Sequence, residues 1–171
     1  MNSQILLKKI EEKSINVALV GFGYIGTCIG AVLANRGYRV HGIDVRKNMV
    51  DAINKGQSLI NEPGLAALIE KTVHNKTLSA STEFRAIEKC DVVVVTVGTP
   101  LGQNFDPDTK DIISATESIL PFVQDGQIII LKSTVPPNIT EKVVKPILEK
   151  SGKKFHLAFC PERLAEGRAI V

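Results

Sequence analysis

Residues 21–26, Gly21-Phe22-Gly23-Tyr24-Ile25-Gly26, set three glycines in the pattern G-x-G-x-x-G. That spacing serves the binding of a pyrophosphate by backbone rather than by side chains. Gly21 permits a tight turn, Gly23 offers no Cβ to an approaching phosphate, and Gly26 lets the following helix pack closely on the preceding strand. Gly30, one turn later, would extend that contact. Tyr24 and Ile25 open the helix, whose free N–H groups and partial positive charge face the anion. Glycines recur in ordinary turns, so the pattern is informative only in context. Here the apolar run from Ile15 to Val20 precedes it, a helical pattern follows, and Asp44 ends the next strand about 20 residues on. Asp44 is therefore expected to accept hydrogen bonds from adenosine ribose hydroxyls and to repel a 2′-phosphate, which favours NAD as cofactor over NADP. Arg46 is the counter-argument, because a nearby arginine accommodates that phosphate; as a solvated surface residue it would be neutral on the point.

Three further clusters each follow an apolar run: Val97-Gly98-Thr99-Pro100, Ser133-Thr134-Val135-Pro136-Pro137, and Cys160-Pro161-Glu162-Arg163-Leu164-Ala165-Glu166-Gly167. Singly, each has a plain structural explanation: an ordinary turn, a helix cap at Thr134, solvated charges at Glu162 and Glu166. Together they fall just past the carboxyl ends of the fourth, fifth and sixth expected strands, the edge at which parallel α/β sheets bind ligands. The turns of the opposite edge, such as Asn75-Lys76 and Gln124-Asp125-Gly126, are merely polar.

The elements that must hold these residues alternate strand and helix. Strands are expected at 15–20, 39–43, 78–80, 91–97, 127–132 and 155–159. Helices are expected from the glycine turn to about Arg36, closed by Gly37, and at 47–55, 65–73, 83–89, 111–122 and 139–150, with a loop from Gly98 to about Lys110. Continuous apolar runs such as Val92–Val95 and Ile128–Leu131 mark strands buried on both faces, hence a parallel sheet with right-handed crossovers. The fold class expected is α/β, a doubly wound parallel sheet of the Rossmann type. Residues 15–171 form the domain, and residues 1–14, with Ile5, Leu6 and Ile10 near helical spacing, an amphipathic helix before it.

A chain of 171 residues accommodates one such domain. With 44% apolar and 23% charged residues it has the balance of a soluble protein, and without Trp its core must be aliphatic. The net charge of +3 is spread along the chain, so no nucleic-acid footprint is expected. No apolar run approaches a membrane span, and the N-terminus lacks the features of a signal peptide. Cys28, Cys90 and Cys160 have neither metal nor disulfide spacing, which suggests a cytoplasmic setting and no metal. His41, His74 and His156 have no partner spacing.

Taken in order, the Gly-Phe-Gly-Tyr-Ile-Gly turn, Glu-Pro-Gly-Leu (Glu62–Leu65), Val-Gly-Thr-Pro, Ser-Thr-Val-Pro-Pro and Pro-Glu-Arg-x-x-x-Gly resemble the NAD-binding domain of the UDP-glucose/GDP-mannose dehydrogenase family, over about Ile15 to Arg168. Pro161-Glu162-Arg163 is similar to the branch acting on N-acetylated hexosamines, which makes UDP-N-acetyl-D-mannosamine the first UDP-sugar substrate expected, with UDP-glucose and UDP-N-acetylglucosamine as alternatives. The resemblance implies a four-electron oxidation of the sugar C6 alcohol to a carboxylate, with two NAD+ reduced in turn and a cysteine forming a thiohemiacetal and then a thioester. It implies catalytic roles for Thr134, placing the nicotinamide or a water, for Glu166, as a base or orienting the hydrolytic water, and for Glu162, shaping the site. Gly98 and Thr99 would lie under the cofactor, beside Val97, Pro100 and Ser133. Asn138 departs from the family's usual Gly. The catalytic cysteine, a dimerising central helix and the UDP-binding domain would lie beyond Val171, so the full-length enzyme is expected to be a homodimer and this chain alone inactive. A stand-alone NAD-sensing module is the rival reading from another class; it leaves Thr134, Glu162 and Glu166 without a reason to share the ligand edge.

Overall fold

A computed structural model describes residues 3–100 and 108–170; most of the expected loop after Pro100, with Gly102 and Pro107, lies outside the described residues. Six parallel strands form one sheet in the order β3-β2-β1-β4-β5-β6. They are β1 (Asn16–Val20), β2 (Arg39–Ile43), β3 (Leu78–Ser81), β4 (Val92–Val95), β5 (Ile128–Leu131) and β6 (His156–Phe159). The strand order reverses between β1 and β4, which pair through Val17↔Val92, while β2 lies on the other side of β1. A crevice therefore opens beyond the carboxyl ends of β1 and β4, and the residues following both strands meet there.

The side-chain alternation along β1 shows why the sheet is covered on both faces. Val17 and Leu19 join a core built with helices α2 (Tyr24–Asn35), α3 (Lys47–Asn54) and α4 (Leu65–His74), through residues such as Ala31, Ile53 and Ile69. Ala18 and Val20 join a second core with α5 (Lys110–Ile119) and the segment leading into α6 (Lys145–Glu149), through Ile112, Ile119 and Leu148. Both cores are almost wholly aliphatic, Phe22 being the largest fully buried side chain. Burying each of the larger aliphatic side chains contributes about 1.5–3 kcal/mol, set against the ordering of the chain.

Several expected elements are realised in another form. The 83–89 helix is a 3₁₀ helix over Phe84–Lys89. The 111–122 helix ends as α5 at Ile119 and tightens into a 3₁₀ turn, Leu120–Phe122, whose Pro121 lacks the N–H that an α-helix would use. The 139–150 helix begins as a π-helix, Thr140–Val144, with the Lys145 N–H bonded to the Thr140 carbonyl, before α6. Pro146 cannot donate to the carbonyl four residues back, and the wider turn absorbs that mismatch. The N-terminal segment forms helix α1 (Ser3–Glu11), but of Ile5, Leu6 and Ile10 only Leu6 packs on the core; Ile5 and Ile10 are exposed. A polar contact ties α1 down beside Leu6: the Lys9 ammonium lies 2.6 Å from Asp91 Oδ1, and Asp91 Oδ2 accepts the Asn16 N–H at 3.0 Å. Among the described residues no helix is long and apolar enough to cross a membrane, and no group of three or more His, Cys, Asp and Glu is arranged to hold a metal ion.

Candidate functional site

The turn between β1 and α2 is shaped by two close approaches. Gly21 has φ +94°, and a Cβ there would meet the Val97 backbone nitrogen at 3.0 Å. A Cβ on Gly26 would sit 2.1 Å from the Gly21 carbonyl oxygen and 2.7 Å from Thr96 Oγ1. Gly26 therefore closes the helix onto the turn itself and onto the end of β4. Thr96 fixes the same junction, its hydroxyl donating to the Gly21 carbonyl at 2.6 Å. Gly23 differs: it is extended, at φ −73° and ψ −159°, and nothing lies within 4 Å of where its Cβ would be. That open space belongs to the crevice. Gly23 also supplies no side-chain bond to the first turn of α2, and no acidic side chain occupies that turn, so the helix start keeps its affinity for an anion.

Asp44, just past β2, is buried. Its Oδ2 accepts the Phe22 N–H at 2.8 Å, which ties the glycine turn to the end of the second strand. Arg46 folds back onto it: Nε donates to Oδ1 and Nη2 to Oδ2, both at 2.9 Å, and the Arg46 N–H donates to Oδ1 at 2.9 Å. Arg46 is thus neither a free surface cation nor a group aimed at solvent phosphate; it forks onto the carboxylate. Burial alone would raise the Asp44 pKa, but the Arg46 bonds and charge, with the Phe22 N–H, outweigh it and hold the carboxyl below its ordinary value.

A cleft of about 410 Å³ runs along this edge, lined by Gly21, Gly23, Asp44, Arg46, Val97 and Gly98 among the expected residues. Val45, Phe84 and Ser118 also line it. They carry no motif, although Val45 is a largely exposed aliphatic residue directly after the strand-ending acid. Glycine at the two backbone approaches, an uncapped helix start and a buried carboxylate at the far end of the cleft together fit a dinucleotide laid across the crevice.

The loops after β4 and β5 are stitched together beside it. Ser133 Oγ donates to the Val97 carbonyl at 2.7 Å, and Thr99 Oγ1 to the Thr134 carbonyl at 2.8 Å. Both hydroxyls therefore hold backbone, and the Thr134 side chain is left exposed, as is Pro100. Ile25 is half-buried in the first turn of α2. After β6 the chain turns back across the edge. Glu162 Oε1 accepts the N–H groups of Arg163 at 2.6 Å and Leu164 at 2.8 Å, while its Oε2 pairs with Lys132 Nζ, at the end of β5, at 3.1 Å. Burial opposes ionisation of Glu162, yet those N–H groups and Lys132 keep its pKa below the usual range. Glu166 is exposed in a turn closed by the Arg168 N–H on the Ala165 carbonyl at 3.1 Å.

The far end of this segment shows a residue to which the motif reading attached no role. Glu62 is buried, and its carboxylate accepts the Gly167 N–H at 2.8 Å, the Ala169 N–H at 2.7 Å and the Tyr24 hydroxyl. The Gly167 N–H also reaches Tyr24 Oη at 3.1 Å. In the sequence Glu62 is the acid of the Glu62–Leu65 motif, ahead of a Pro-Gly helix start.

Comparison with known proteins places these features together. The family described as UDP-glucose/GDP-mannose dehydrogenase family, NAD binding domain, matches residues 15–171. A UDP-N-acetyl-D-mannosamine dehydrogenase of Methanococcus aeolicus is 37% identical over 168 residues, covering 96% of this chain and 38% of its own length. A GDP-mannose 6-dehydrogenase of Pseudomonas putida is 38% identical over 165 residues, covering 91% and 38%. The crystal structure of a ternary complex of GDP-mannose dehydrogenase from Pseudomonas aeruginosa superposes with a TM-score of 0.87 at 36% identity, covering 90% of this chain and 37% of that one. The chain thus spans under two fifths of the length of these relatives.

Proposed function

The chain belongs to the UDP-glucose/GDP-mannose dehydrogenase family as its NAD-binding domain, and from that premise we propose that it holds NAD for oxidation of the C6 alcohol of a nucleotide-linked hexosamine to the uronate. The observation that carries this reading is the meeting, at one sheet edge, of the open Gly23 turn, buried Asp44 and the two loops bearing Thr134 and Glu162. NAD, when bound, supplies the hydride acceptor. The chain's residues bind and orient. Gly21, Gly23 and Gly26 shape the pyrophosphate seat, with the N–H groups of Tyr24 and Ile25 at the helix start. Asp44 takes the adenosine ribose, with Arg46 sharing its charge. Val97, Gly98, Thr99, Pro100 and Ser133 form the wall that leads to Thr134. Thr134 orients the nicotinamide end or a water, Glu166 accepts a proton or aligns the hydrolytic water, and Glu162, fixed by Lys132, shapes the pocket.

UDP-N-acetyl-D-mannosamine is the substrate we propose, supported by the Pro161-Glu162-Arg163 motif and by the several relatives that bear its name. Each substrate molecule would reduce two NAD+, with a cysteine, the central helix and a nucleotide-binding half supplied outside this chain, in a cytoplasmic homodimer. Buried Cys28 and Cys90 are poor nucleophiles, since burial, with Glu62 near Cys28 and Asp91 near Cys90, pushes both thiols up to about 11. The test is calorimetric titration of this chain with NAD, followed by incubation with NAD and UDP-N-acetyl-D-mannosamine, UDP-glucose or GDP-mannose while NADH absorbance is followed. Saturable NAD binding without NADH is the expected result. Absence of binding refutes the cofactor role, and NADH formation refutes the need for the second half.

A further inference from the structure

The segment after β6 is anchored at two places, and the two anchors lie on opposite halves of the sheet. Near its start, Glu162 is paired with Lys132 at the end of β5. At its far end, Gly167 and Ala169 hang from Glu62, which precedes α4, on the side of β1, β2 and β3. Leu164, Ala169 and Ile170 pack against that core, and Ile170 Cγ2 lies 3.4 Å from where a Cβ on Gly64 would be. The segment is therefore a strap across the ligand edge, and Glu166 sits on it between the anchors, touching neither.

The second anchor is not independent of the cofactor turn. Tyr24 is the first residue of α2 and follows Gly23 directly, so its backbone is part of the proposed pyrophosphate seat. Its phenol meets both the Glu62 carboxylate and the Gly167 N–H. One residue thus follows the cleft-lining Gly23 in the chain and gives its hydroxyl to the strap. Glu62 accepts from two backbone N–H groups and one phenol, all from elements distant in sequence. A carboxylate so placed is a junction of three segments rather than a solvated charge.

We propose that Tyr24 and Glu62 are positioning residues that couple occupancy of the glycine turn to the placement of Glu166. The inference rests on the reading of the turn as the NAD seat. A ligand on the first-turn N–H groups fixes the Tyr24 backbone; the phenol then fixes the Glu62 carboxylate, and the carboxylate fixes Gly167 and Ala169. Glu166 is one residue from the first of these and so is held more firmly when cofactor is present. By reciprocity, whatever factor NAD adds to strap order, strap order returns to NAD affinity.

Amide hydrogen exchange on this chain, with and without saturating NAD, tests the coupling. Exchange at Gly167 and Ala169 should slow about tenfold with NAD in the unaltered chain, a coupling within the range found between linked sites. Tyr24→Phe removes only the hydroxyl. It should abolish the NAD-dependent part of this protection and weaken NAD binding by no more than the same factor, with the remaining amides of the sheet unchanged. Glu62→Gln, which keeps the shape and loses the charge, should likewise abolish the NAD-dependent part of the protection at Gly167 and Ala169. A merely structural anchor would give a different pattern: faster exchange in both variants by equal factors with and without NAD. That pattern, or unaltered exchange at Gly167 and Ala169 when NAD binds the unaltered chain, overturns the coupling and leaves the proposed function standing. Failure of the unaltered chain to bind NAD overturns both.

Discussion

At the scale of single residues, the most informative is Asp44, because two partners compete for what a ribose would need. Its carboxylate already takes the Phe22 N–H, the Arg46 N–H and the Arg46 fork. A carboxylate has room for about four donors, so ribose hydroxyls must share it with Arg46 or displace the guanidinium. Asp44→Asn keeps the shape, removes the charge and frees Arg46. A hydrogen bond to a charged group is worth about 1.5–3 kcal/mol, so NAD affinity should fall about 10- to 100-fold. NADP should lose far less, because the repulsion of its 2′-phosphate disappears and an unpaired guanidinium stands beside it. Titration of the variant with both cofactors reads this directly; equal affinity for NAD before and after the change would remove Asp44 from the site.

At the scale of elements, the β1–α2 turn separates what holds the fold from what receives the ligand. Gly26 is a packing glycine: a methyl group there must move the Gly21 carbonyl, and overpacking of this kind costs about 1–3 kcal/mol. Gly23 is a ligand glycine, open on its outer side and in a backbone conformation that alanine adopts freely. Gly26→Ala should therefore lower the urea midpoint and NAD affinity together. Gly23→Ala should leave stability within about 0.5 kcal/mol while NAD binding drops at least about tenfold, or 1.4 kcal/mol. The same contrast explains what the sequence could disclose. Strands β2 and β5, the doubly wound class, the glycine turn and Asp44 follow from period, apolar runs and spacing, signals carried by neighbours along the chain. The 3₁₀ form of Phe84–Lys89 and the π-helix before α6 escaped because apolar periodicity does not distinguish tight from wide turns. Only Pro121 and Pro146 hinted at a break. The Arg46 fork, the backbone duties of Ser133 and Thr99, and the junction at Glu62 are contacts between distant segments, and residue type alone left each of them several possible partners.

At the scale of the whole molecule, the lowered carboxylates share a consequence for acid stability. Asp44 joins β2 to the glycine turn, Glu162 joins the strap to β5, and Glu62 joins the strap to α2 and the start of α4. Each has a folded-state pKa below its ordinary value: Asp44 and Glu162 because arginine, lysine and N–H partners outweigh burial, Glu62 chiefly through the Tyr24 hydroxyl, with the N–H groups of Ala169 and Gly167 adding to it. A carboxyl that binds its proton more weakly when folded leaves the unfolded chain with more protons over the interval between the two pKa values. Stability there rises with pH. The stabilising contribution is therefore complete above the unfolded values, about 3.9 for aspartate and 4.3 for glutamate, and disappears as pH falls through the lower folded ones. Urea unfolding at a series of pH values should show a steep loss of stability below about pH 4.5. Glu62→Gln, which has no proton to bind, should be less stable at neutral pH and have a shallower acid limb, so that the two curves converge at low pH. Parallel curves, displaced by a constant amount at every pH, would mean that the Glu62 charge contributes nothing and that shape alone holds the strap. Convergence would show instead that one ionised side chain ties the end of the strap to the helix that begins at the cofactor turn.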